Sequence, residues 1–287
     1  MKIIKYIFEF IIIGFLFIIF KILDIKYSRK LSSIILCTIG PLFRSKKIIN
    51  SNILRALPNI DNKKLNKIKY LMWDNYGKIL SEYMFLKNFR NSNYEKNIRI
   101  IGEKNLNDIK INDEPVIFIS GHFSNFELMA MNIEKLGIKI ATIYRPLNNI
   151  FLNFIMENIR KKYICKNQIK KGKSGTRELL KLFKDGYSIA LMIDQRVTEG
   201  IKSKFFGQEA FTTSIPAQFV KKFNCKIVPV YIERSNDRNF EIKFHEPLIF
   251  KKDEKIDKIT NQLNLVIEKM ILNNPGQWIW THNRWKL

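Results

Sequence analysis

Hydrophobic and polar positions divide the chain into three stretches. From Ile3 to Leu23 the sequence is almost continuously apolar, interrupted by Lys5, Glu9 and Lys21, and it is about long enough to cross the hydrocarbon core of a bilayer. Its uncharged centre runs from Phe10 to Phe20. Lys21, Asp24, Lys26, Arg29 and Lys30 follow where a cleaved secretory signal would need small residues, so the segment reads as a retained anchor, spanning the membrane or lying at its interface. The competing reading is a buried core helix, because a helix apolar on every face is either deep in protein or in lipid. Positive charge is heavier just after the segment than before it, which leaves the body of the protein in the cytoplasm. A second apolar segment, Leu31 to Phe43, is expected to break at Gly40-Pro41 and is a candidate for the membrane surface. Lys46 to Phe89 carries apolar residues at mixed spacings of three and four, a helical pattern.

From residue 97 onward the pattern alternates. Asn97–Gly102, Pro115–Ser120, Ile138–Tyr144, Tyr187–Asp194, Cys225–Glu233 and Phe240–Pro247 read as strands. Helices are expected from Ser124 to a stop at Gly137, over Asn149–Lys162, Ser174–Asp185 and Pro216–Phe223, and around Ile256–Leu272. Strands separated by helices of that length imply crossover connections and an α/β fold, with a mostly parallel or mixed central sheet flanked by helices. The expected organisation is an anchor over 1–25, a helical membrane-proximal region over 26–95 and an α/β domain over 96–287. Sites on such sheets lie at the carboxyl ends of strands, where both Gly121-His122 and Asp194-Gln195 fall.

Composition narrows the partners. The chain has 287 residues, is 46% hydrophobic and carries a formal net charge of +24, which favours an acidic partner such as anionic headgroups, a phosphorylated substrate, an acidic carrier protein or nucleic acid. An AT-biased coding sequence, rich in Lys, Ile and Asn, accounts for part of that charge equally well. Cys37, Cys165 and Cys225 are far apart and lack a CxxC pair, a set that fits a reducing compartment and argues against a disulfide framework or a zinc site.

The most informative segment is His122-Phe-Ser-Asn-Phe-Glu127, at a strand-to-helix corner. A base-capable imidazole and a carboxylate five residues apart are the parts needed to deprotonate a hydroxyl and send it into an acyl carbonyl. Ser124 to Glu127 also fits S-x-x-E, a capping box in which both side chains satisfy backbone N–H groups of the first helical turn. Local spacing leaves the two readings open.

HFSNFE is followed by Tyr144-Arg145-Pro146, Arg160 in the next helix, Asp194-Gln195 at the end of a later strand, Phe205-Phe206-Gly207 and the closing PGQWIWTHNRWK. This ordered set resembles the lipid A biosynthesis acyltransferases, the late lauroyl and myristoyl transferases of Gram-negative bacteria, over roughly the whole chain. The sequence departs from the family around Ser214 and Ile215, where a glycine is usual. The resemblance implies a glycerolphosphate-acyltransferase-like fold on the cytoplasmic face of the inner membrane. It implies transfer of a fatty acyl chain from acyl carrier protein to a hydroxyl of a phosphorylated, Kdo-bearing lipid A precursor, with no cofactor or metal.

On that reading His122 is the general base and Glu127 holds and charges-balances its imidazole, without an acyl-enzyme. Backbone N–H groups at the start of the Ser124 helix are candidate oxyanion donors. By family match Arg160 binds an acceptor phosphate, Asp194 orients Arg160 or a sugar hydroxyl, and Arg145 and Gln195 complete the substrate-binding set. His245 is expected to be packing, and the C-terminal tryptophans to pack on the sheet or lie at the membrane. Basic residues from Lys161 to Lys173 suit an acidic carrier or a solvated face. A hydrolase using water on the same dyad, an acyltransferase with another glycolipid or phospholipid acceptor, and a membrane-tethered nucleic-acid binder are the competing functions, although no nucleic-acid-binding motif is present.

Overall fold

A computed structural model describes residues 2–287. The apolar N-terminus forms α1 (Lys2–Ile22), the one helix among the described residues long and apolar enough to cross a membrane. Little of it is buried by the rest of the chain, apart from Phe20 near its end.

The next segment corrects an expectation. α2 (Ile25–Phe43) runs through Gly40 and Pro41 without a break; Pro41 forgoes the N–H bond to the Cys37 carbonyl, and only two helical residues follow it. One face of α2 lies against α4 (Asn62–Glu82). Small residues make the approach possible: Ser28, Ser32 and Ser33 are buried on α2, and a Cβ on Gly77 of α4 would stand 2.4 Å from the Ser32 carbonyl oxygen. The segment is thus a packed helix of the protein body, with Ile34, Ile39, Leu42 and Phe43 left on its outer side. The helical stretch that follows is divided into α3 (Lys46–Ala56), α4 and α5 (Leu86–Asn91).

The α/β domain is built on a seven-stranded sheet in the order β1, β9, β8, β2, β5, β3, β4. The strands are β1 (Ile98–Ile101), β2 (Ile117–Ser120), β3 (Ile140–Tyr144), β4 (Asn167–Lys170), β5 (Ser188–Met192), β8 (Ile227–Arg234) and β9 (Phe240–Phe244). All neighbours are parallel except β8 and β9. Helices α6 (Glu103–Asn112), α7 (Glu127–Lys135), α8 (Ile150–Tyr163), α9 (Lys173–Lys184), α10 (Ile215–Phe223) and α11 (Ile256–Asn273) connect and cover it. β2 sits centrally, with all four residues buried, as expected of a strand covered on both faces.

Three elements were not read from the pattern: α6, β4 and the hairpin of β6 (Ile201–Phe205) and β7 (Gln208–Thr212). Phe206 and Gly207 form the hairpin's turn, both at positive φ, the geometry that matches strand twist in two-residue loops. The departure at Ser214 and Ile215 is accommodated at the start of α10, where the Gln218 side chain donates to Ser214 Oγ at 2.9 Å.

The α2–α4 contact yields a prediction. Gly77→Val is expected to lower stability by about 1–3 kcal/mol, as overpacking does, since the opposing atoms are backbone and cannot rotate away. Gly14→Ala, with open space around it, should leave the melting midpoint of the detergent-purified protein unchanged.

Candidate active site

β2 delivers the chain to the carboxyl edge of the sheet at Ser120, and its neighbour β5 does the same at Met192. Parallel pairing therefore sets the segments after both strands side by side. Gly121 makes the final approach possible, because a Cβ there would lie 2.8 Å from the Phe123 ring and 3.2 Å from Asp194 Cβ. Asp194, 1% exposed, accepts three hydrogen bonds: from the His122 backbone N–H at 2.9 Å, from His122 Nδ1 at 2.8 Å and from Trp278 Nε1 at 2.8 Å. Burial alone would raise the Asp194 pKa, but His122 and these donors outweigh it and hold the carboxyl below its ordinary range. With Nδ1–H donated to Asp194, the Nε2 lone pair of a neutral His122 is free to take a proton. The imidazole lies edge-on to Phe126, with ring centroids 4.9 Å apart.

Glu127 is not the partner of this imidazole. It is buried at the first turn of α7 and accepts hydrogen bonds from Tyr83 Oη and from Arg160 Nε (2.8 Å) and Nη2. Arg160 Nη2 also reaches Tyr83 Oη at 3.1 Å. The reason is backbone geometry. His122 sits in a tight bend, closed by the Phe123 N–H donating to the Gly121 carbonyl at 2.8 Å, and the chain turns again at Ser124, φ 42°, before α7 begins. The capping box is not formed either: α7 starts at Glu127, not Ser124, and the buried Ser124 Oγ has no partner. Nor does Asp194 contact Arg160, since both its oxygens serve His122 and Trp278.

The corner is tied down from two further sides. The Ser124 N–H donates to the Gln277 carbonyl at 2.9 Å, so it is unavailable as an oxyanion donor, and Phe123 bridges to Trp278. Asn125 Nδ2 donates to Glu82 at 2.8 Å. Glu82, fully buried, also accepts from Arg29 Nε at 2.6 Å and from Arg234 Nη1 at 2.6 Å. Burial would raise its pKa, and the two guanidiniums reverse that to leave Glu82 below its ordinary range. The C-terminal segment belongs to the core: Trp278, Trp280 and Trp285 are buried, as is Arg284 between them. His282, whose pKa burial lowers to about 4, accepts the Arg196 N–H at Nε2. Arg145 is exposed and Gln195 half-buried, and neither side chain has a hydrogen bond among the described residues. His245 is packing, with its pKa lowered by burial and by Lys243. No group of three or more His, Cys, Asp or Glu side chains converges on a metal-sized site among the described residues.

The profile of the bacterial lipid A biosynthesis acyltransferase family matches residues 1–287. The chain belongs to that family. It is 22% identical over 193 residues to lipid A biosynthesis acyltransferase 2 of Shigella flexneri, covering 65% of this chain and 60% of the relative, so the match spans less than two thirds of that relative's length. It is 20% identical over 251 residues to lipid A biosynthesis lauroyltransferase of Escherichia coli K12, covering 85% of this chain and 79% of the relative. Among solved structures, the 1-acyl-sn-glycerophosphate acyltransferase PlsC of Thermotoga maritima superposes with a TM-score of 0.40 at 14% identity, covering 87% of this chain and 98% of that one.

In this lipid A acyltransferase family member, Tyr83, Glu82, Gln277 and Trp278 support the corner and were not found as site residues in the sequence. The only local signal was the aromatic, basic C-terminus. A pH prediction follows for Asp194. A carboxyl with a depressed folded pKa contributes stability that is complete above its unfolded value of about 3.9 and is lost as pH falls through the folded value. The melting midpoint of the wild type should therefore drop more between pH 6 and pH 3 than that of Asp194→Asn. Equal drops would mean that Asp194 is not an anion in the folded protein.

Proposed function

We propose that the protein is a membrane-associated O-acyltransferase. It moves a fatty acyl chain from acyl carrier protein to a hydroxyl of a phosphorylated lipid A precursor, on the cytoplasmic face of the inner membrane. The observation that carries this reading is the His122–Asp194 pair at adjoining strand ends, in a chain that matches the family along its whole length. The long apolar α1 supports the membrane, and the +24 charge suits both an acidic carrier and a phosphorylated acceptor.

In this mechanism His122 Nε2 takes the proton from the acceptor hydroxyl as its oxygen attacks the thioester carbonyl. The tetrahedral species collapses, the C–S bond breaks, and the carrier thiolate leaves with the proton returned by the imidazolium. Asp194 fixes the tautomer and stabilises the cationic imidazole. Glu127 acts on substrate through Arg160: together with Tyr83 it fixes the guanidinium, whose Nη1 is left for an acceptor phosphate oxygen. Arg145 and Gln195, at the same edge of the sheet, are further candidates for the sugar-phosphate.

The decisive experiment is expression in a Gram-negative host lacking its late acyltransferases, followed by mass spectrometry of the lipid A. One added acyl mass supports the proposal and reports the chain length. No added mass with well-expressed protein, or free fatty acid as sole product, overturns it. His122→Ala and Asp194→Asn should each cut kcat by roughly 10²–10⁴-fold with the fold intact. Glu127→Gln should act mainly on the acceptor KM and on stability, the latter by up to about 3–5 kcal/mol because it breaks a buried ion pair. A kcat loss in Glu127→Gln as large as that in His122→Ala, with unchanged KM, would return Glu127 to the imidazole.

A further inference from the structure

The acid that interrupts the N-terminal apolar helix has a partner. Glu9 Oε2 and the Tyr6 carbonyl both accept hydrogen bonds from Asn149 Nδ2, at 3.0 and 2.8 Å. Asn149 is itself buried and is the N-cap of α8, where its Oδ1 accepts from the N–H groups of Phe151 and Leu152. Phe10 and Phe151 pack beside this link with ring centroids 5.7 Å apart. One asparagine thus starts α8 and docks α1 onto it, so the anchor is fixed to the catalytic domain rather than hanging from it.

The docking leaves a continuous apolar surface. Ile150 and Phe154, four residues apart, share one face of α8, and Leu147 lies in the segment just before it; the three are 59%, 68% and 43% exposed. They adjoin α1, where Ile3, Ile7, Phe8, Ile11 and Phe15 are also exposed. Large apolar patches are rare on soluble monomers and mark protein or membrane contacts. We infer that the start of α8 together with the segment before it, Leu147 to Phe154, inserts into the bilayer beside α1 and forms a second membrane-contacting element on the catalytic domain itself. The inference rests on reading α1 as a membrane anchor.

Continuity with α1 selects the occupant. A surface joined to a helix long and apolar enough to cross a membrane faces what that helix faces, and exposed Arg145, just before Leu147, suits anionic headgroups. The placement also bears on the substrate. Arg160 follows Phe154 on α8 by at most roughly 9 Å along the axis, at 1.5 Å per residue, and the headgroup layer is about 5–8 Å thick on each side. Arg160 would then stand at the outer edge of the headgroups, and a lipid-borne phosphate need rise little to meet it.

The test uses the full chain, purified and reconstituted into phosphatidylcholine–phosphatidylglycerol vesicles with or without brominated acyl chains. The four native tryptophans are buried and supply a background subtracted with the wild type. Phe154→Trp should emit at short wavelength and be quenched by the brominated lipid. Ile111→Trp, 80% exposed and at the opposite end of β2 from His122, should emit as in water and resist quenching. Water-like emission from Phe154→Trp overturns the inference. So does short-wavelength emission without quenching, which would mean that protein, such as a second copy of the chain, covers this surface. Neither readout needs turnover, so a failure here leaves the acyl-transfer reading standing, and inactivity of the enzyme leaves this inference standing.

Discussion

A charge buried with 1% exposure has to be met on the spot, and at Asp194 it is met by N–H groups from two segments far apart in sequence. An ionised carboxylate taken out of water costs several kcal/mol unless its lone pairs are filled. Asp194 fills them with the backbone and ring of His122 and the indole of Trp278. Most of the site follows from that requirement. The strand pair β2–β5 brings the donors within reach, Gly121 clears the space for contact, and the C-terminal segment has to return to the sheet to supply the third bond. The imidazole is then oriented by the same bonds that keep the carboxylate tolerable in the interior.

Two other buried acids extend the principle. Glu82 gathers Arg29 from α2, Arg234 from the end of β8 and Asn125 from the corner. Glu127 gathers Arg160 and Tyr83. Between Gly121 and Glu127 the chain is therefore gripped at His122 by Asp194, at Ser124 by Gln277, at Asn125 by Glu82 and at Glu127 by Arg160. Such a grip is needed, because Ser124 sits at a positive φ that a non-glycine residue adopts at a cost of order 1–3 kcal/mol. The helical N-terminal region thus serves the site directly: α2 and α4 supply the charges that hold the corner from behind.

The legible and illegible parts of this protein separate by the range of the interaction that determines them. β2 and β5 were readable because a strand buried on both faces is a continuous apolar run. β4, Asn-Gln-Ile-Lys, has only Ile169 buried, and it is a strand because β3 offers an edge. β6 alternates, yet one of its inward residues is Ser203, bonded to Thr212 and Asn264, so the apolar signal is halved. α6 buries only two apolar residues, Leu106 and Ile109. At the site, His122 and the strand-end position of Asp194 were both visible. Their pairing was not, because it depends on β2 lying next to β5, whereas the family resemblance assigned the nearer Glu127 to the imidazole. Trp278 was legible as an aromatic but not as a donor, since its partner lies 84 residues away.

Five residues across a strand-to-helix corner do not behave like five residues within a helix. Side chains meet at spacings of three and four only when both residues share one helix. Here His122 precedes the turn and Glu127 opens α7, so each answers to a different neighbour. The consequence is a division along one short loop: its first residue pairs with Asp194 and its last fixes the Arg160 guanidinium. A loop clamped at both ends by buried charge holds both residues in place without a single side chain having to serve both partners. His122 and Glu127 therefore belong in one motif even though they do not touch.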